Sequence, residues 1–215
     1  LGKGGFGSVE LVDYLGHVAA AKIVDLKGLG SNKLGVERLR RTFAKELEAM
    51  VLLRSEHVVD VYGAMAKDEE RLVLLLELME EGDLRSMLSK DSKPLERDLC
   101  RQLAMDISWG MEYLHSRRMV YGGLKFPNIL LTGELRAKVR SEGSGVNRFP
   151  LWCFVFRGEE QLGSPEVKEA PDILNQDEIT QSSDVYSYGI IFWEILTRKV
   201  PWEEVGRPVD IILKV

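Results

Sequence analysis

Apolar positions along the chain change their spacing twice, and those changes divide it into two unlike halves. Val9, Leu11 and Val12, then Val18 to Val24, form short β-type runs around a polar turn at Tyr14 to Gly16, which predicts paired strands over 8–24. A stretch rich in Gly, Ser, Asn and Lys over 25–35 predicts a loop. From Val36 the spacing becomes helical, with Val36, Leu39, Phe43, Leu47 and Met50 at steps of three and four, and Val51 beside them. Two apolar runs, Val58 to Ala64 and Leu72 to Leu78, predict further strands. Past Gly82 and Asp83 helical periodicity takes over. Leu95, Leu99, Leu103, Ile107, Met111 and Leu114 trace one face of a long helix ending near His115, with Pro94 placed for its first turn. Short strands and loop are expected over 116–140, and an irregular stretch with several glycines and prolines over 141–172. Another apolar helix begins near Asp184 and runs through Val185, Tyr188, Phe192, Ile195 and Leu196. The pattern is α+β: a mainly β half with one helix, joined near 77–83 to a mainly helical half.

Composition narrows the setting. A chain of 215 residues supports one sizeable core or two small lobes. Its most apolar stretches, Leu72 to Leu76 and Gly189 to Trp193, fall far short of the ~20 residues of a membrane span, so no span is expected here. Leu1 to Gly7 lacks the basic start and apolar middle of a signal peptide, and the abrupt start suggests a natural N-terminus upstream. A net charge of −5 disfavours nucleic acid and anionic membrane surfaces as main partners. The two cysteines, Cys100 and Cys153, fit neither a metal-ligand spacing nor a disulfide framework. An intracellular, cytoplasmic setting is the expectation, compatible with a membrane anchor elsewhere in a longer chain.

Three segments carry candidate chemistry. Gly2-Lys3-Gly4-Gly5-Phe6-Gly7-Ser8-Val9 fits G-x-G-x-x-G-x-V, in which glycines let the backbone turn tightly and approach phosphate oxygens without a Cβ in the way. A dinucleotide fingerprint would open a helix after Gly7; a strand is predicted instead, which favours a hairpin flap. Lys22 ends the apolar run Ala19-Ala20-Ala21 and needs a charge partner or a ligand if buried, or else snorkels from an edge. Glu46, on the following helix beside Phe43, Leu47 and Met50, is its candidate partner; alternatively it is one more solvated glutamate. The third segment runs from Val120 to Leu131, Val-Tyr-Gly-Gly-Leu-Lys-Phe-Pro-Asn-Ile-Leu-Leu.

This third segment resembles the catalytic loop of protein kinases, H-R-D-L-x-x-x-N, with Leu124 and Asn128 in register. Glu169-Ala170-Pro171 resembles the A-P-E motif, and Ser183-Asp184-Val185-Tyr186-Ser187-Tyr188-Gly189 the start of the kinase F helix. The resemblance covers nearly the whole chain, with the glycine loop, Lys22 and Glu46 in family order. It implies a bilobal fold, with a small β-rich N-lobe over about 1–76, a hinge over 77–83 and a larger helical C-lobe over 84–215, trimmed at both ends and lacking the last C-lobe helices. It also implies an ATP site formed by Gly2, Gly4, Gly7, Val9, Ala20, Lys22, Glu46, Leu76 as gatekeeper, Glu77, Met79 and Leu130. Lys125 is the lysine of serine/threonine kinases, and Asn128 the family's second metal ligand.

Two positions depart from the family. Gly123 stands where the catalytic Asp belongs, and a glycine has no side chain with which to accept a hydroxyl proton. Ser141, in Ser141-Glu142-Gly143, stands where the metal-binding Asp of D-F-G belongs, and a hydroxyl is a poor ligand for the hard cation Mg²⁺. Glu142 is a candidate substitute carboxylate one position late. The apolar run Phe149 to Phe156 either packs on the large lobe or forms a partner surface. The expected function is an ATP-binding pseudokinase for which Mg²⁺ is weak or dispensable, a scaffold or allosteric regulator of other signalling proteins, an active kinase among them. An active serine/threonine kinase and an interaction module without nucleotide are the alternatives.

Overall fold

A computed structural model describes residues 2–4, 7–26, 33–66, 70–90, 93–122, 124–141 and 179–201, without the side chains of 2–4, 7, 33, 34, 38, 42, 45, 46 and 49. The first half is a five-stranded antiparallel sheet built from β1 (Gly2–Gly4), β2 (Gly7–Tyr14), β3 (His17–Asp25), β4 (Val61–Met65) and β5 (Arg71–Glu77), in the order β1-β2-β3-β5-β4. The β2–β3 turn puts Leu15 (φ 53°) and Gly16 (φ 82°) in the left-handed region, as a two-residue hairpin requires. The Gly16 N–H donates to Asp13 Oδ1 at 3.1 Å.

Helix α1 (Lys33–Met50) buries Leu39, Phe43 and Met50, the positions its helical spacing predicted, in one cluster with Val24, Val61, Leu72 and Leu74 of the sheet. β5 shows the matching period of two, with Leu72, Leu74 and Leu76 buried and the residues between them half-buried.

The second half pairs β6 (Gly82–Asp83), β7 (Ile129–Leu131) and β8 (Ala137–Val139) in a small antiparallel sheet ordered β6-β7-β8. Around it lie α2 (Leu84–Lys90), α3 (Arg97–Ser116) and α4 (Gln181–Thr197), with a 3-10 turn at Phe126–Asn128. Asp83 begins α2 by accepting the Ser86 N–H at 2.9 Å. A second core gathers Leu84, Leu103, Ile107, Leu114, Phe126, Ile129, Leu131, Val139, Ile191 and Ile195. The result is an α+β, bilobal architecture with one core per half. No helix among the described residues is long and apolar enough to cross a membrane.

Several boundaries differ from the sequence reading. Val58 to Asp60 lie outside β4, the strand expected over Val58 to Ala64: the Val58 N–H donates to the Ser55 carbonyl, Asp60 pairs with Glu77, and Val59 and His57 bond across to the other half. The Val59 N–H donates to the Val139 carbonyl at 3.0 Å and the Val139 N–H to the His57 carbonyl at 2.9 Å. Pro94 lies outside α3, whose cap is Glu96; Leu95 packs on the core just ahead of the first turn. α4 begins three residues before Asp184, because Thr180 and Ser183 cap each other reciprocally, the Thr180 N–H donating to Ser183 Oγ at 3.2 Å. The strand β3 takes in Asp25 and α1 begins at Lys33, which shortens the loop expected over 25–35. The expected irregular stretch beyond Ser141, with the apolar run 149–156, lies outside the described residues.

Where α3 meets β8, Asp106 is fully buried. Arg136 grips it through Nε at 2.9 Å and Nη2 at 2.6 Å, and the Ala137 N–H donates to it at 3.0 Å. A carboxylate taken from water survives only with such a full set of partners. Beside it, Gly110 lets α3 approach the preceding turn: a Cβ there would lie 2.7 Å from the His57 carbonyl oxygen.

Urea or thermal unfolding checks this packing. Gly110→Ala destabilises by about 1–3 kcal/mol through overpacking against backbone. Gly189→Ala, also within a helix but with no described atom within 4 Å of where its Cβ would stand, stabilises by about 0.5–1 kcal/mol through helix propensity. Asp106→Ala strands the Arg136 guanidinium and the Ala137 N–H, and lowers stability by about 3 kcal/mol in the same measurement.

Candidate functional site

The facing parts of the two halves bring together most of the predicted nucleotide-binding side chains. Lys22 lies on β3 opposite Val9 of β2 and Leu74 of β5, and is only 5% exposed. Burial of an ammonium in a strand of alanines is unfavourable without a charge or ligand to answer it, which removes the snorkelling alternative. Glu46 sits on α1 between Phe43 and Met50, but its side chain lies outside the described residues. Ala20, Leu76 and Met79 are buried in one apolar cluster, with Val9 packed on it. Leu130 joins that cluster from β7 of the second half. Apolar side chains from both sheets and a buried cation on β3 are thus gathered in one region of the fold.

The glycine segment forms a hairpin, with Gly4 opposite Gly7 and Gly2 opposite Val9. Glu77 plays a different part from the other predicted residues. Its carboxylate accepts from Lys138 Nζ at 2.6 Å and from the Asp60 N–H at 3.2 Å, and its own N–H donates to the Asp60 carbonyl at 2.9 Å. The side chain is therefore committed to β8 and to the turn before β4.

The candidate catalytic loop hangs on one buried carboxylate, Asp184 of α4. Its Oδ2 accepts the Tyr121 N–H at 2.8 Å and lies 2.8 Å from His115 Nε2, while its Oδ1 accepts the Gly122 N–H at 2.8 Å. Gly122 is left-handed at φ 66°, and a Cβ there would come within 3.2 Å of Ile179 Cγ2. Gly123 lies outside the described residues. Lys125 is extended and precedes the 3-10 turn, closed by the Asn128 N–H donating to the Lys125 carbonyl at 2.9 Å. The Asn128 carbonyl in turn accepts the Arg140 N–H at 2.9 Å, and Ser141 follows, 2% exposed.

Sequence reasoning did not assign Asp184 its anchoring role. The available signal was an acidic residue inside the most apolar helix of the chain. Lys138 and Arg140 were missed as well, because a cation in a short strand has no periodic signature.

The donors near the 3-10 turn are ill matched to Mg²⁺. Asn128 offers a neutral amide and Ser141 a neutral hydroxyl, and Arg140 places a cation in sequence between β8 and Ser141. A hard divalent ion prefers carboxylate oxygen and is repelled by a guanidinium. Among the described residues, no group of three carboxylate, imidazole or thiol side chains converges as metal ligands. Glu142, the candidate substitute, lies outside them.

Comparison with known proteins bears on this geometry. The family described as protein tyrosine and serine/threonine kinase matches residues 1–214. The serine/threonine-protein kinase CTR1 of Arabidopsis thaliana is 31% identical over 219 residues, covering 100% of this chain and 25% of the relative. The probable serine/threonine-protein kinase PBL26 of the same plant is 33% identical over 224 residues, covering 98% of this chain and 50% of the relative. The tyrosine-protein kinase JAK3 of Rattus norvegicus is 32% identical, covering 92% of this chain and 18% of the relative. The chain thus spans half or less of the length of these curated relatives. With a strand-rich half and a helical half, and with a match running almost end to end, this chain belongs to the protein tyrosine and serine/threonine kinase family.

Proposed function

We propose that this kinase domain binds ATP but transfers its γ-phosphate very slowly or not at all, and acts as a scaffold or allosteric regulator of other signalling proteins, an active kinase among them. One contrast carries the reading. On the side read as nucleotide-binding, Lys22 is buried and Val9, Ala20, Leu76, Met79 and Leu130 share one cluster, which supports the reading. The transfer half has Gly123 and Ser141 where the family uses aspartates. Bound ATP would supply the phosphoryl donor; the chain would supply the apolar slot, the Lys22 charge and the backbone of the hinge at Glu77 and Met79. The N-lobe at 1–76, the hinge at 77–83 and the C-lobe at 84–215 belong to the same reading, as does an intracellular setting.

The magnitudes favour impairment. A positioned general base contributes about 10²–10⁴-fold, and metal stabilisation of developing charge adds several kcal/mol. Removing both from a typical kinase turnover of about 1–100 s⁻¹ leaves a rate close to background.

An active serine/threonine kinase is the second reading. It is supported by the serine/threonine kinases among the relatives and by the retention of Lys22, Lys125 and Asn128. It requires a carboxylate from elsewhere in the chain, Glu142 being the candidate.

The test uses the purified domain and a Lys22→Met variant. ATP raises the melting temperature of the parent and not of Lys22→Met, while incorporation of labelled γ-phosphate into the domain and into a generic protein substrate is equal for the two. Incorporation by the parent clearly above Lys22→Met, abolished by Glu142→Gln, establishes the second reading instead. No thermal shift with ATP removes nucleotide binding from the proposal.

A further inference from the structure

We propose that the cavity walled by the turn at Glu56 and His57, by Glu80 and by the β7–β8 turn is a docking site for an arginine side chain of a partner protein. None of the residues read as nucleotide-binding lines this cavity. The site therefore gives the scaffolding role a partner chemistry without depending on ATP.

The cavity has a volume of about 380 Å³, within the ~300–1,000 Å³ of small-ligand sites. Its walls are fixed by backbone hydrogen bonds. The His57 carbonyl accepts the Val139 N–H at 2.9 Å, and the Gly133 N–H donates to Glu80 Oε2 at 3.0 Å. A hollow held in this way exists before its occupant arrives, so docking costs little ordering of the protein.

The charges on the walls do not cancel. Arg136 is answered by the buried Asp106, at 2.9 and 2.6 Å, and Lys138 by Glu77 at 2.6 Å. That leaves the exposed carboxylates of Glu56, Glu80 and Glu134 around the cavity. Among the described residues no lysine or arginine forms an ion pair with any of them. Like charges gathered about one hollow repel each other and are relieved by a cation.

His57 is the second, independent pointer to an occupant. It is 8% exposed, and it lines the cavity. Its ring makes no hydrogen bond to a described residue: Glu56 Oε1 stands 3.6 Å from Nε2 and Asp106 Oδ1 stands 3.7 Å from Nδ1, both longer than a hydrogen bond. A buried polar group left so calls for a partner from outside. Trp109 packs against the imidazole with ring centroids 5.0 Å apart, which fixes the plane of the ring.

A guanidinium suits this set of groups better than an ammonium. It is planar and stacks on a ring, its fork of donors serves several carboxylates at once, and it is less strongly hydrated. The ammonium of lysine or of a polyamine is a point charge with no face to stack.

Fluorescence anisotropy tests the site, with a labelled glycine peptide carrying an adjacent pair of arginines as the probe. The same peptide with citrulline or lysine in place of arginine is compared, with spermidine as competitor. The protein variants are the triple Glu56→Gln/Glu80→Gln/Glu134→Gln, the control triple Glu10→Gln/Asp13→Asn/Glu37→Gln, and His57→Gln, each after a check of melting temperature. The control removes the same charge from residues that do not line the cavity. The parent is expected to bind the arginine peptide and to discriminate against the citrulline and lysine forms. The cavity triple weakens binding by about tenfold or more and the control triple by about twofold at most. His57→Gln weakens it severalfold with no change in carboxylate charge. Failure of the parent to bind the arginine peptide overturns the proposal. Equal weakening by the two triples also overturns it, since that marks non-specific attraction. Lysine peptide or spermidine binding as tightly as the arginine peptide overturns the choice of guanidinium. Because the triple alters only exposed side chains, the test stands even if His57→Gln does not fold.

Discussion

Both polar backbone groups of Val139 are spoken for by the other half of the molecule, and the placement of the cleft follows from that. Its N–H donates to the His57 carbonyl and its carbonyl accepts the Val59 N–H. A buried strand edge cannot leave these groups unanswered. β8 pairs with β7 on one side and takes its second partner from the turn that leads into β4. The neighbouring residues repeat the logic with side chains: Ala137 donates to Asp106, and Lys138 reaches Glu77 at the hinge. The small sheet and the large one are thereby held in one relation at two points, the hinge and the 57–59 turn. Leu130 meets Val9, Ala20, Leu76 and Met79 because of this coupling.

Charge distribution separates the two ends of the cleft. On β3 a lysine is buried among alanines, a placement that requires a charge or a ligand to answer it. At the other end the backbone of the loop is tied to Asp184 by two N–H groups, with an imidazole on the same carboxylate. Yet the side chains at that loop bring no carboxylate among the described residues. Gly122 shows how closely the chain has settled on this form, since its left-handed backbone and the nearby Ile179 leave poor accommodation for a larger residue.

The periodic elements were legible in the sequence, and the errors have a common origin. The β2–β3 hairpin, the buried stripe of α1, β5 and the long α3 fell where the spacing of apolar residues put them, because each buries one face locally. Val58 and Val59 read as strand because they are apolar, but the Val59 N–H finds its partner at Val139, eighty positions downstream and beyond the reach of any local pattern. The start of α4 was set by a reciprocal Thr180–Ser183 cap rather than by its first apolar residue. The Glu77–Lys138 pair had no local signature either, since its partners stand 61 positions apart in the chain.

By itself the sequence determined the order of strands and helices, the two halves, the family, and the loss of two acids at positions 123 and 141, since these depend on residue type and short-range spacing. Only the tertiary structure decided that Lys22 is buried, that Asp184 carries the loop, that the Glu77 carboxylate meets Lys138, and that the Arg140 N–H donates to the Asn128 carbonyl. Each of those outcomes depends on which distant backbone or side chain arrives as the partner. Burial and pairing are properties of the assembled surfaces, and no stretch of chain contains them before the two sheets meet.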